Sequence, residues 1–259
     1  MKAAGSPIPE KGQGEALSAS SLVKRYKNSA RPALDHFDLT VQQGEFFGLL
    51  GANGAGKTTA IAVLSGFFPA DSGTVSIMGM DFRRQPNRIR RLLGLVPQEI
   101  ALYDNLTARE NLLFFARLHG FGGKKLRERV DQCLEFAKLT GQATGLVSTF
   151  SGGMKRRLNL ATGLLHVPRI LFLDEPTVGI DTQSRHLIHR QLLELNRNGT
   201  TILYTTHYME EAQELCSRIG IIDGGRIIEQ GRPDALLRQH GGRNLEALFL
   251  RLTGKQLRD

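Results

Sequence analysis

Apolar positions along this chain follow two rhythms. Residues 34–41 and 46–50 form short, nearly continuous apolar runs that read as strands; Gly44 breaks them apart and Gly51 closes the second. "TTAIAVLSGF", just after Lys57, has helical spacing, and "GTVSIMG" and "LGLVPQ" add strands over 74–78 and 93–96. From residue 105 to about 165 the helical period takes over. Thr107 and Glu110 have capping-box spacing ahead of a segment that puts Leu112, Phe115 and Ala116 on one face. In "KKLRERVDQCLEFAKL", Leu126, Val130, Cys133, Leu134 and Ala137 form one stripe. Uninterrupted apolar runs then return in "RILFLDE" and "TTILYTTH", as strands buried on both faces of a parallel sheet require. Between them, Asp181 or Thr182 can cap a helix that turns Ile188, Leu192 and Leu195 inward and stops at Gly199. "IGIIDGGRIIEQG" predicts a hairpin turning at Asp223 and Gly224, and "PDALLRQH" and "NLEALFLRL" predict two final helices.

This order predicts an α/β fold: a mixed, mainly parallel sheet with flanking helices, carrying an inserted helical lobe over about 98–165. The expected boundaries are a flexible Gly-, Ser-, Ala- and Pro-rich tail over 1–20, a core over 21–231 and a helical extension over 232–259. A chain of 259 residues can bury a substantial core, and it shows no internal repeat. No apolar run approaches the roughly 20 residues of a membrane-spanning helix. The first residues also lack the apolar centre of a secretory signal, so the chain is expected on the cytoplasmic side, with any spanning left to another protein.

Charge and cysteines change this picture little. The formal charge of +9 is carried by scattered basic groups such as "DFRRQPNRIRR" and "MKRRL", without the interleaved aromatics of a nucleic-acid platform. No nucleic-acid partner is expected. Cys133 and Cys216 lie far apart, outside any metal-ligand spacing, and suit buried small side chains.

Candidate chemistry sits at the ends of the apolar runs. In "GANGAGKTT", Gly51, Gly54 and Gly56 let the backbone N–H groups converge on one concavity, and the following helix adds the positive end of its dipole. Lys57 would reach the β- and γ-phosphates of a nucleotide, and the Thr58 hydroxyl would ligate its Mg²⁺. Asp174 and Glu175 end "RILFLDE", where adjacent carboxylates are expensive unless a metal, a proton or a strand edge accommodates them. Asp174 would hold Mg²⁺ and Glu175 would polarise the attacking water. His207 closes the next strand at the same end of the sheet, and Gln98 follows another. Ser151 can cap a helix whose first N–H groups Gly152 and Gly153 leave open to a second phosphate.

Taken in order, these motifs strongly resemble the ATP-binding cassette subunits of ABC transporters, over essentially residues 22–231. "GANGAGKTT" matches that family's Walker A loop, Gln98 its Q-loop, "SGGMK" its signature, "ILFLDE" its Walker B strand, "VGID" its D-loop and His207 its switch histidine. The resemblance implies a P-loop NTPase core of ABC type that binds ATP and Mg²⁺. It implies that Gly51, Asn53, Gly54, Ala55, Gly56, Lys57, Thr58 and Thr59 cradle the nucleotide and that Tyr26 stacks on adenine. It places Glu175, His207 and Gln98 in catalysis, and Thr58, Gln98 and Asp174 at the metal. Ser151, Gly152, Gly153 and Asp181 would meet the nucleotide held by a second copy in a head-to-tail homodimer. "SGGMKRRL", "GIDTQSRHLI" and "YMEEAQELC" resemble the ABC-2 class of exporters, which implies a separate transmembrane permease at the cytoplasmic face of the inner membrane. Residues 103–115 would form its docking groove, although the same apolar residues suit lobe core. Two departures stand out: Met154 replaces the usual glutamine of the signature, and Phe150 its usual leucine. A soluble ABC ATPase acting on ribosomes or DNA fits less well, because the chain holds one cassette and has no room for a coiled coil between Lys57 and Ser151. A non-hydrolysing regulatory cassette is opposed by intact Lys57, Asp174, Glu175 and His207.

Overall fold

The computed structural model describes residues 14–27 and 29–254. In chain order its elements are β1 (Glu15–Lys24), β2 (Leu34–Gln42), β3 (Phe46–Leu50), α1 (Lys57–Leu64), β4 (Ser72–Ile77), β5 (Met80–Asp81), α2 (Pro86–Arg90), β6 (Leu93–Val96), α3 (Ala108–Leu118), α4 (Gly123–Phe136), α5 (Gly152–Gly163), β7 (Ile170–Asp174), α6 (Thr182–Arg197), β8 (Thr201–Thr206), α7 (Met209–Leu215), β9 (Arg218–Asp223), β10 (Arg226–Gly231), α8 (Pro233–His240) and α9 (Leu245–Thr253).

Two sheets form. The main one runs β10-β9-β3-β8-β7-β6 and is parallel except for the β9–β10 hairpin; the other, β2-β1-β4-β5, is antiparallel. β3, β7 and β8 are buried at every position, which explains why they carry no polar alternation. One core lies between the sheets and around α1, with Phe37, Leu39, Ala60, Leu64, Phe172 and Leu203. A second covers the opposite face of the main sheet with Leu173, Tyr204, Ile188 and Leu192. A third fills the helical lobe between α3, α4 and α5, with Leu112, Val130, Leu134 and Leu158. α5 belongs to two of these cores: Leu158 and Ala161 face the lobe, whereas Leu160 and Leu164 face the sheet.

The capping box at Thr107 and Glu110 is present: the Thr107 hydroxyl accepts the Glu110 N–H, and the Glu110 carboxylate accepts the Thr107 N–H. Asp181, not Thr182, caps α6. Two expectations need correction, and a third, the two final helices, is present as expected with its packing now visible. β1 begins at Glu15, so residues 15–20, expected in a flexible tail, pair with β2 and β4 and bury Ala16, Leu17 and Ala19; residues 1–13 lie outside the described part. The glycines just before β1 and its own serines and alanines masked an alternating strand. The hairpin turns at Gly224 and Gly225, one residue later than expected, because both adopt the positive φ that a two-residue turn needs. The extension beyond Gly231 is an integral part of the fold: Leu236, Leu245, Leu248 and Phe249 are buried in the second core, each contributing roughly 1.5–3 kcal/mol relative to exposure.

Candidate active site

The parallel register brings the carboxyl ends of the central strands level. Leu50 of β3 lies beside Thr206 of β8, and Asp174 of β7 beside Thr205. Everything that follows these strands therefore meets in one crevice.

The glycine loop crosses from β3 to α1. Gly56 caps α1 at φ 112°, and a Cβ there would stand 2.5 Å from the Ala33 carbonyl oxygen, so only glycine lets the loop close against that neighbour. Lys57 is 4% exposed. Its ammonium donates to the carbonyls of Gly51 at 2.8 Å and Ala52 at 3.1 Å, and pairs with Glu175 Oε1 at 3.0 Å.

Asp174 and Glu175 are both buried, and β8 supports both. The Thr205 hydroxyl donates to Asp174 Oδ1 at 2.6 Å and accepts the Glu175 N–H at 3.0 Å. Glu175 has a positive φ of 45°, rare for a residue with a side chain, and this kink turns its carboxylate back between Lys57 and His207. His207 Nδ1 lies 3.1 Å from Glu175 Oε2. Burial pushes the Asp174 carboxyl above its usual range, against the hydrogen bonds from Thr205 and Thr58 that favour its charge. A buried carboxylate whose charge is unfavourable, bonded to the Thr58 hydroxyl in the first turn of the helix that follows the glycine loop, is a pair of hard oxygen donors that fits Mg²⁺. Among the described residues no cluster of three or more His, Cys, Asp or Glu forms a metal cage, so such an ion would rely on these two donors and the nucleotide's phosphates. Tyr26 stands beside the same loop, its hydroxyl 3.3 Å from Thr59 Oγ1 and its side chain 42% exposed.

Ser151, Gly152, Gly153 and Asp181 form a separate group. Ser151 caps α5 by accepting the Met154 N–H at 3.2 Å, and Asp181 caps α6 by accepting the Ser184 N–H at 2.8 Å. The two helix starts touch: a Cβ on Gly153 would meet Ser184 Oγ at 2.1 Å and Asp181 Oδ2 at 3.1 Å. Ser151, Gly152 and Asp181 are exposed. The two unusual signature residues both pack into the lobe, Phe150 in its core and Met154 against it. Gln98 is exposed, and its carbonyl accepts from Arg156 at 2.6 Å. Asn53 and Gly54 are exposed and Ala55 is buried.

Three contributors were not visible in the sequence. Thr205 supports both carboxylates, yet in a strand buried on both faces a threonine is an ordinary β-branched residue. Arg156 is one of several arginines in a basic run. Glu211 accepts from Thr177 Oγ1 at 2.7 Å, Tyr204 OH at 2.7 Å and Thr206 Oγ1 at 2.9 Å, with the His189 ring 3.5 Å away. Burial raises the Glu211 pKa, but the bonds from His189, Thr177, Tyr204 and Thr206 outweigh it and hold the group below the usual glutamate range. The available signal was Tyr204, since a tyrosine in a fully apolar strand needs a partner for its hydroxyl.

A glycine loop between a buried strand and a helix, a buried lysine at its base and a carboxylate pair whose Glu175 is held by lysine and histidine and whose Asp174 is held by threonine hydroxyls define a nucleoside triphosphate hydrolase. The chain belongs to the ABC transporter family, as one of its ATP-binding, ATP-hydrolysing cassettes: the family profile matches residues 34–178. It is 44% identical over 226 residues to the linearmycin resistance ATP-binding protein LnrL of Bacillus subtilis (strain 168), a match covering 87% of this chain and 72% of that one. It is 47% identical over 226 residues to the Nod factor export ATP-binding protein I of Burkholderia thailandensis, covering 87% and 74%. Its fold matches the dimeric post-hydrolysis state of the ATP-binding cassette MJ0796 bound to ADP and Pi, with a TM-score of 0.77, 27% identity and coverage of 83% of this chain and 98% of that one. No helix among the described residues is long and apolar enough to cross a membrane.

Proposed function

We propose that this chain is the ATP-hydrolysing subunit of an ABC-2 type exporter, working as a head-to-tail homodimer under a separate transmembrane permease at the cytoplasmic face of the membrane. The observation that carries the catalytic part is the Glu175 carboxylate, gripped at one oxygen by Lys57 and at the other by His207, beside Asp174 and the glycine loop. The loop amides and Lys57 bind the phosphates, and Tyr26 stacks on the adenine. Glu175 accepts a proton of the attacking water as general base. His207 keeps that carboxylate oriented and reaches the γ-phosphate. Thr58, Asp174 and Gln98 would hold Mg²⁺, which when bound neutralises charge on the β- and γ-oxygens.

Ser151, Gly152 and Asp181 are exposed, with Gly153 buried between the two helix starts, and a nucleotide held by a second copy would meet this surface. ATP that touches both copies only when they are closed favours closure by its differential affinity, and loss of the γ-phosphate removes that bias. The dimeric ADP-bound neighbour and the relatives named for resistance and export support this reading. On the lobe, Tyr103 and Phe114 are exposed and packed edge to face at 5.0 Å, an apolar patch suited to the permease.

The test is a pull-down of tagged Glu175→Gln protein from detergent-solubilised native membranes with ATP. A stoichiometric polytopic membrane protein is expected. Recovery of soluble dimer alone, or of ribosomes or DNA, overturns the export reading and leaves the ATPase standing.

A further inference from the structure

α5 carries the signature residues at its start and meets two other loops one turn further on. Arg156, 6% exposed, donates from Nη1 to the Gln98 carbonyl at 2.6 Å and from Nη2 to the Val178 carbonyl at 3.3 Å. Three residues on, the side-chain oxygen of Asn159 accepts the Ala101 N–H at 3.2 Å. The same helix face thus holds the segment 98–101 at two points and reaches the loop that leads into Asp181.

This arrangement is costly as mere filler. Arg156 Nε is buried without a hydrogen-bond partner, and both bonding nitrogens serve backbone carbonyls rather than a carboxylate that would offset the charge. An apolar side chain would fill the space without that desolvation. What only a guanidinium supplies is two donors in a fixed fork, able to tie two carbonyls on different segments at once.

We infer that Arg156 is a positioning residue, a latch that fixes the Gln98 loop and the loop before Asp181 to the signature helix, so that the three move as one body when α5 engages a nucleotide. The latch acts on turnover through Gln98, and in that respect it rests on the proposed function. Its structural part does not.

Arg156→Lys tests it, because lysine keeps the charge and loses the fork. In nucleotide-free protein, the Ala101 amide is expected to exchange with solvent about tenfold faster or more in the variant, as a loosened local segment should. In steady-state ATP hydrolysis, kcat is expected to fall about tenfold with KM within roughly twofold of wild type. In a Gln98→Ala background the same substitution is expected to lower kcat by less than about twofold further, since two residues acting through one contact are not additive. Unchanged exchange at Ala101, or a full tenfold loss added to that of Gln98→Ala, overturns the latch. Should Arg156→Lys fail to fold, Arg156→Gln, which keeps a single amide donor and loses the fork, carries the same exchange and turnover predictions. Wild-type protein that releases no phosphate from ATP would defeat the proposed function while leaving the exchange result to judge the latch.

Discussion

The two groups of residues assigned to the nucleotide are built in opposite ways. Asp174 and Glu175 are buried at the end of an inner strand and Lys57 at the start of the helix after the glycine loop, and each is held by partners from other segments of the same chain. Ser151, Gly152 and Asp181 are exposed at helix starts, and the hydrogen bonds of Ser151 and Asp181 reach only three residues along their own helices. The first group is finished within one chain. The second is rigid but faces outward, as a surface completed by another molecule must. This contrast is what the proposed half-site requires: Ser151 and Asp181 commit their side chains to caps while their helix starts stay exposed.

The strongest way to break the contrast is Glu175→Gln. It keeps the side-chain shape and removes the carboxylate, so turnover should fall roughly 10²- to 10⁴-fold while ATP affinity stays near that of wild type. Phosphate release and nucleotide titration measure both; a variant hydrolysing at the normal rate would remove Glu175 from catalysis. Next comes the scaffold. Glu211→Ala strips the acceptor from three buried hydroxyls and should lower stability by about 2–4 kcal/mol in urea unfolding. Because Glu211 titrates below its ordinary value in the fold, its contribution is fully present above the pH at which an unfolded glutamate titrates, and is lost as pH falls through the lower, folded value. A pH-stability curve that keeps its shape in the variant would contradict this.

Gly153→Ala attacks the other group. The added methyl collides with Ser184 and pushes the two helix starts apart, so turnover should drop about tenfold while binding of ATP to the isolated subunit is untouched. Equal losses in both would mean that the two groups are not separable. The smallest effect is a gain. Burial raises the Asp174 pKa, so its charge opposes folding above the folded value; Asp174→Asn should raise nucleotide-free stability by about 1 kcal/mol near neutral pH while abolishing Mg²⁺-dependent turnover. A lower melting temperature than wild type would show that the carboxylate is already compensated.

Much of the chain was legible because its signals are local. The strands 46–50 and 93–96 and the capping box at Thr107 depend on residues within a few positions of one another, and all three appear as read. The tail failed for the opposite reason: β1 is held by pairing with β2 and β4, up to some sixty residues away, and the glycines before it and the serines within it outweighed a weak alternation. The extension after Gly231 showed its helices but not their destination, since burial of Phe249 depends on which core has space for it.

Residue order along the chain was enough to establish the kind of protein, because a glycine loop, a strand ending in two carboxylates and a glycine-rich helix start each carry their chemistry within a few residues. It could not establish who supports whom. Thr205 beneath both carboxylates, Glu211 beneath Thr206 and Arg156 between Gln98 and Val178 join residues separated by 5 to 58 positions, and none is marked by spacing or periodicity. Those partnerships exist only once the parallel strands settle into register and α5 lies across their ends, where each buried polar group takes the nearest complementary atom.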